Sequence, residues 1–159
     1  NFKTPGTDDV LRSVEIKNHV VTTDPLEQNL RKILNYGHTI GHAVESYALS
    51  NDAKPLTHGE AIAIGMICEA FLSQRNCNLS AAELADITAY ISSIYPAYTT
   101  PTDRFDSLLT LMKKKKKNEH GQILFSLLNS IGQCEYNCKV AEKDILDSLE
   151  YYNACYSKA

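Results

Sequence analysis

Two short stretches constrain this chain more than anything else in it: residues 31–45, RKILNYGHTIGHAVE, and residues 56–60, LTHGE. Wound as a helix that begins near Leu26, the first places Glu27, Arg31, Asn35, His38, His42 and Glu45 at successive steps of four or three. Side chains three and four apart share a helix face, so the spacing predicts a single polar stripe. Ile33, Ile40, Val44 and Tyr47 fall on other sides, where they can enter a core. Such a stripe is ordinarily a solvated face. Its composition points elsewhere, because Asn35, His38 and His42 are mediocre helix formers where a solvent face favours Glu and Lys. Gly37 and Gly41 flank the histidines, and each costs about 1 kcal/mol relative to Ala inside a helix. Those two costs imply that another backbone or a ligand comes close.

The second stretch supplies the neighbour. Residues 60–66, EAIAIGM, are apolar and small-sided, with Ala61 and Gly65 four apart, which suits a buried helix packed tightly on its partner. His58 stands just ahead of it. A histidine pair at i, i+4 with a distant third histidine is a plausible zinc set, since imidazole nitrogens bind zinc at about 2.0–2.1 Å. Spacing alone leaves metal binding and a purely structural role open.

At 159 residues the chain suits one domain with a real core, and 43% hydrophobic content is ordinary for a globular protein. A formal net charge of −3 gives no general attraction to nucleic acid or anionic membrane. Apolar runs fall short of the roughly 20 residues of a membrane helix. No secretory leader is visible, and a cytoplasmic location is expected. Cys68, Cys77, Cys134, Cys138 and Cys155 are odd in number without a CxxC pair, so free thiols are expected. No glycine-rich phosphate loop follows a strand, so the chain itself holds no dinucleotide in the usual way.

In chain order, Asp8 or Asp9 caps a helix over residues 10–23, and Asp24-Pro25 breaks it. The buried helix after His58 runs to about Arg75. Ser80 and Glu83 form a capping box for a helix with core positions Leu84, Ile87, Ile91 and Ile94. Another helix starts at Thr100–Asp103 and continues through Phe105, Leu108, Leu109 and Met112. Five lysines, 113–117, read as a solvated helix end favoured by the helix dipole. Residues 122–128 and 133–140 form a hairpin turned at 129–132, and an amphipathic helix from Ala141 to about Tyr152 closes the chain. The fold class is therefore mainly α, a multi-helix domain with one small β-hairpin near the C-terminus.

The string Leu30-Arg31 … Asn35-Tyr-Gly-His38-Thr-Ile-Gly-His42-Ala-Val-Glu45, then His58-Gly-Glu60-Ala-Ile-Ala-Ile-Gly-Met66, resembles the C-terminal domain of the 3-dehydroquinate synthase family. Upstream, Glu15-Ile-Lys17 … Val20-Val21 … Asp24 … Glu27 is similar to the segment before that motif. Downstream, Met112 … Lys116-Lys117-Asn118 … Gly121 … Ile131-Gly132 is similar to the family's lysine turn and hairpin. The resemblance implies an enzyme that converts 3-deoxy-D-arabino-heptulosonate 7-phosphate to 3-dehydroquinate and phosphate, with NAD and zinc, or another divalent metal such as Co2+.

Residue by residue, it implies metal ligation by His38 and His58, general-base catalysis by His42 and a second acid/base role for Glu27. Lys17 and Arg31 would hold the substrate carboxylate, and Asn35 and Lys116 the phosphate end. An Asp usually precedes the lysine pair in the family, but Lys115 stands there, which leaves the register of the run open by one residue. The resemblance further implies a homodimer and an N-terminal α/β domain that holds NAD and a third, glutamate zinc ligand. The chain is then expected to be the C-terminal domain of a two-domain enzyme, with weak zinc binding and no catalysis alone. Other sugar-phosphate cyclases, metal-dependent alcohol dehydrogenases and a non-catalytic helical interaction module are the alternatives.

Overall fold

The computed structural model describes residues 6–115 and 122–156. Six α-helices and a hairpin are described: α1 (Thr7–Thr23), α2 (His38–Asn51), α3 (His58–Asn76), α4 (Ala81–Ile94), α5 (Phe105–Lys115), β1 (Leu124–Ser130), β2 (Gln133–Lys139) and α6 (Glu142–Tyr156). The mainly α architecture with one antiparallel hairpin is as the sequence predicts.

Helix α3 is the axis of the fold, packed against α2, α4, α6 and β1. Its two ends are set by local chemistry. The Thr57 hydroxyl accepts the Glu60 amide, while the Glu60 carboxylate accepts the Thr57 amide at 2.7 Å. That capping box satisfies two donors left orphaned by the first turn. Ser80 and Glu83 repeat the device at α4. Ile40, Val44, Ile67, Leu72, Leu108, Met112, Phe125, Leu127 and Ile145 fill one continuous core between α2, α3, α5, α6 and the hairpin. Ile94 departs from its expected core position and stands 43% exposed, because α4 ends there.

Two further expectations need correction. Asp8 and Asp9 are not at the cap of α1; Gly6 is, and its amide donates to the Asp9 carboxylate at 2.8 Å. Helix α1 forms as expected, yet its apolar Val10, Leu11, Val14 and Ile16 are exposed, and only Val20 is buried. The largest revision concerns the stripe helix. No continuous helix runs from Leu26 to Glu45. Glu27 takes a left-handed φ of 54°, and a 3-10 helix covers Leu30–Asn35. Gly37 then turns the chain at φ 81° before α2 starts at His38. The cause is partly local. The Asp24 carboxylate accepts the amides of Gln28, Asn29 and Arg31 at 3.1, 2.7 and 3.0 Å, wrapping the chain around itself.

Candidate metal centre

The histidines converge because two helices approach more closely than side chains would normally allow. A Cβ on Gly65 would overlap the Gly37 carbonyl and lie 2.7 Å from the Gly41 nitrogen, so only glycine fits there. A Cβ on Gly41 would meet Ala61 O at 3.0 Å. The expected close neighbour of Gly37 and Gly41 is therefore the backbone of α3. Small residues let α2 and α3 touch, and the touch brings the start of α3 beside the first two turns of α2.

There the rings of His38, His42 and His58 lie with centroids 5.3, 5.8 and 5.7 Å apart. One donor nitrogen from each falls within 4.8 Å of the others, a spacing at which one cation can be shared. Outer contacts fix two of the rings. His38 Nδ1 is 3.1 Å from the Tyr36 carbonyl, which can only accept, so Nδ1 carries the proton and Nε2 keeps its lone pair. His58 Nδ1 lies 3.2 Å from Glu45 Oε1, a carboxylate contact that serves the same purpose. Hydrogen bonds of this kind select tautomer and ring orientation at metal sites.

Two residues that sequence reasoning missed hold this region in place. Glu69 is fully buried on α3, and its carboxylate accepts the amides of Gly37 at 2.7 Å and Ile40 at 3.1 Å. It thus caps α2 from another helix, where a negative group is favoured by the helix dipole. The Tyr36 hydroxyl donates to the Met66 carbonyl at 2.8 Å. Burial, then the nearby Glu69 carboxylate, raises the Tyr36 phenol well above its ordinary range. A charged residue in the apolar run IAIGMICEAFL was the available signal for Glu69; nothing comparable marks Tyr36.

Just upstream, a second group assembles. Asn35 Nδ2 donates to Glu27 Oε1 at 2.8 Å, Arg31 Nε is 4.0 Å from Glu27 Oε2, and Arg31 Nη1 donates to the Pro25 carbonyl at 3.0 Å. Glu27, Arg31 and Asn35 are thus brought together, though through a folded-back turn rather than along a helix. Three amides donating to Asp24, that of Asn29 foremost, hold its carboxyl below the usual carboxylate range. Lys17 is exposed on α1, the helix that packs against the 3-10 turn carrying Arg31. Lys116 lies outside the described residues.

Three imidazoles, two of them oriented by outer contacts, suit a borderline divalent cation such as Zn2+ or Co2+. Fold and site together define a helical domain with a histidine-rich candidate metal centre and, just upstream in the chain, a polar group of Glu27, Arg31 and Asn35. Residues 5–118 match the family described as 3-dehydroquinate synthase C-terminal, and the chain belongs to that family. The 3-dehydroquinate synthase of Parabacteroides distasonis is 40% identical over 145 residues, which cover 91% of this chain and 41% of the relative.

Among solved structures, a 2-deoxy-scyllo-inosose synthase complexed with carbaglucose-6-phosphate, NAD+ and Co2+ has a TM-score of 0.72 at 26% identity, over 90% of this chain and 40% of the other. The 2-epi-5-epi-valiolone synthase of Streptomyces hygroscopicus, with NAD+ and Zn2+ bound, shares the fold at a TM-score of 0.71 and 22% identity, over 92% and 40%. The chain thus spans about two fifths of the length of these proteins.

Proposed function

We propose that this chain is the metal- and substrate-binding part of a 3-dehydroquinate synthase, acting on 3-deoxy-D-arabino-heptulosonate 7-phosphate to release phosphate and form 3-dehydroquinate. The observation that carries the reading is the convergence of His38, His42 and His58, with Glu27, Arg31 and Asn35 gathered into a second group just upstream in the chain. In this reading His38 and His58 present Nε2 to the divalent metal. When bound, the metal supplies Lewis acidity toward a substrate hydroxyl.

His42, the third ring of the cluster, takes and returns protons near neutral pH. Arg31 offers its planar fork to the substrate carboxylate, with Lys17 joining it from α1. Glu27 is the second acid/base group, held by Asn35 until substrate arrives, and Asn35 and Lys116 reach toward the phosphate. NAD, on this view, is held mainly by an N-terminal nucleotide-binding domain of the full enzyme, a homodimer of the cytoplasm. Among the described residues no helix is long and apolar enough to cross a membrane.

The test is a full-length enzyme carrying this chain, assayed for dehydroquinate. His42→Ala should abolish turnover while retaining metal, whereas His38→Ala and His58→Ala should lose both. If His42→Ala instead loses metal along with activity, all three histidines are ligands and the base is another group. A second reading, ring formation from a different sugar phosphate, is favoured by the likeness to the inosose synthase. An enzyme that turned over a sugar phosphate without a carboxylate, and was indifferent to Arg31→Met, would establish it.

A further inference from the structure

Away from the histidines, the end of α3 meets the hairpin at a second set of donor atoms. Cys77 follows the last turn of α3 and Cys138 lies on β2 opposite Phe125; both thiols sit at the rim of the core. Glu135, three residues before Cys138, would face away from it on a regular strand, where side chains alternate. The ladder, however, slips between Phe125 and Leu127, so that Tyr136 and Asn137 oppose the single Ser126, and Asn137 takes a φ of 59°. This bulge restores Glu135 to the side of Cys138, the re-aiming that such insertions produce. Cys77 Sγ, Cys138 Sγ and a Glu135 carboxylate oxygen consequently lie within 4.8 Å of one another.

We propose that Cys77, Cys138 and Glu135 form a second metal site, separate from the histidine centre and selective for a thiophilic divalent cation of the Zn2+ or Cd2+ type. Tetrahedral zinc with Zn–S bonds of about 2.3 Å needs sulfurs about 3.8 Å apart. The donor spacing therefore has to contract by no more than about 1 Å, within reach of side-chain rotation. Two sulfurs set its preference apart from the all-imidazole centre, since thiolates select softer cations.

The surroundings support ligation. Asn129 Nδ2 donates to Glu135 Oε1 at 2.6 Å, which orients the carboxylate. The Leu127 amide donates to the Cys138 sulfur. A cation bound among these donors displaces the thiol protons.

Cobalt distinguishes the two centres, because only thiolate ligation gives an intense near-ultraviolet sulfur-to-cobalt charge-transfer band. The reduced 159-residue chain, carrying His38→Ala and His58→Ala to silence the histidines, is titrated anaerobically with CoCl2. The expected result is a saturable charge-transfer band, lost in Cys77→Ser and in Cys138→Ser. Asn129→Ala should weaken cobalt affinity by about tenfold or more, as outer partners of metal ligands do.

A second measurement needs no substitution: CdCl2 should shield Cys77 and Cys138, but not Cys155, from alkylation by iodoacetamide, read by peptide mass. Absence of the band in the reduced chain overturns the proposal, as does a band that survives both serine variants or alkylation indifferent to cadmium. The histidine background makes failure here independent of the assigned roles of His38, His42 and His58.

Discussion

Around His38, His42 and His58 the backbone is locked between helices: Gly37 and Gly41 touch α3, and the Glu69 carboxylate holds two amides at the start of α2. A few residues upstream, Glu27, Arg31 and Asn35 lie in and just before a 3-10 turn gathered by the Asp24 carboxylate and packed between the largely bare α1 and the hairpin. The first region is held by core contacts, the second by hydrogen bonds, those to Asp24 and one from the Ser126 hydroxyl to the Lys32 carbonyl at 2.7 Å among them. Metal ligands need fixed positions, whereas groups that grip a substrate have to yield and close on it. The contrast predicts that substitutions in the first region cost stability and metal affinity together, while those in the second leave stability nearly intact.

The sharpest way to break that contrast is Gly65→Ala. Its methyl overlaps the Gly37 carbonyl, so α2 and α3 must part, and a loss of about 3 kcal/mol or more is expected in chemical denaturation. Equal stability of the variant would mean that the helices are not in contact. Next comes Glu69→Ala, which strands two buried amides and should cost about 3 kcal/mol. Glu69→Gln keeps an acceptor and should cost less, with metal affinity following the same order.

Tyr36→Phe leaves the Met66 carbonyl without its donor and should cost about 1 kcal/mol. Because the folded phenol titrates above its unfolded value, Tyr36 supports the fold fully below about pH 10 and loses that support as pH rises through the folded pKa. A Tyr36→Phe chain should therefore show a shallower alkaline decline, measured by circular dichroism against pH.

Smaller effects are expected upstream. Asp24 has a depressed pKa, so its stabilisation is present above the ordinary carboxylate range and disappears as pH falls through the folded value. Asp24→Asn should flatten that acid limb while leaving thermal stability near neutrality little changed, and a large drop in melting temperature would contradict a locally held turn. Val14→Ser on the exposed face of α1 should lie within about 0.5 kcal/mol of the parent chain.

The helix seam was legible in the sequence because glycine and alanine at four-residue spacing are hard to explain except by close approach. The capping box at Ser80 and the hairpin were legible because their chemistry is local. What stayed hidden was decided by tertiary contacts. Periodicity carried the stripe straight through Gly37, since a left-handed glycine and a fully helical one look alike in one dimension. Glu69 acts on residues 29 and 32 positions away, a separation no window reads. Convergence of the three histidines across two abutting helices was anticipated. The grouping of Glu27 with Arg31 and Asn35 survived loss of the helix that predicted it, because the tight turn at Asp24 returns them to one another.

The absence of a side chain at residue 65 has a reach beyond packing. With nothing between the two backbones, the separation of α2 and α3 acts as a gauge for the gap between His38 and His58, one imidazole riding on each helix. In the proposed metal site, the ionic radius that fits the gap is then tuned by atoms that never meet the ion, and a methyl at residue 65, seven residues along α3 from His58, changes it.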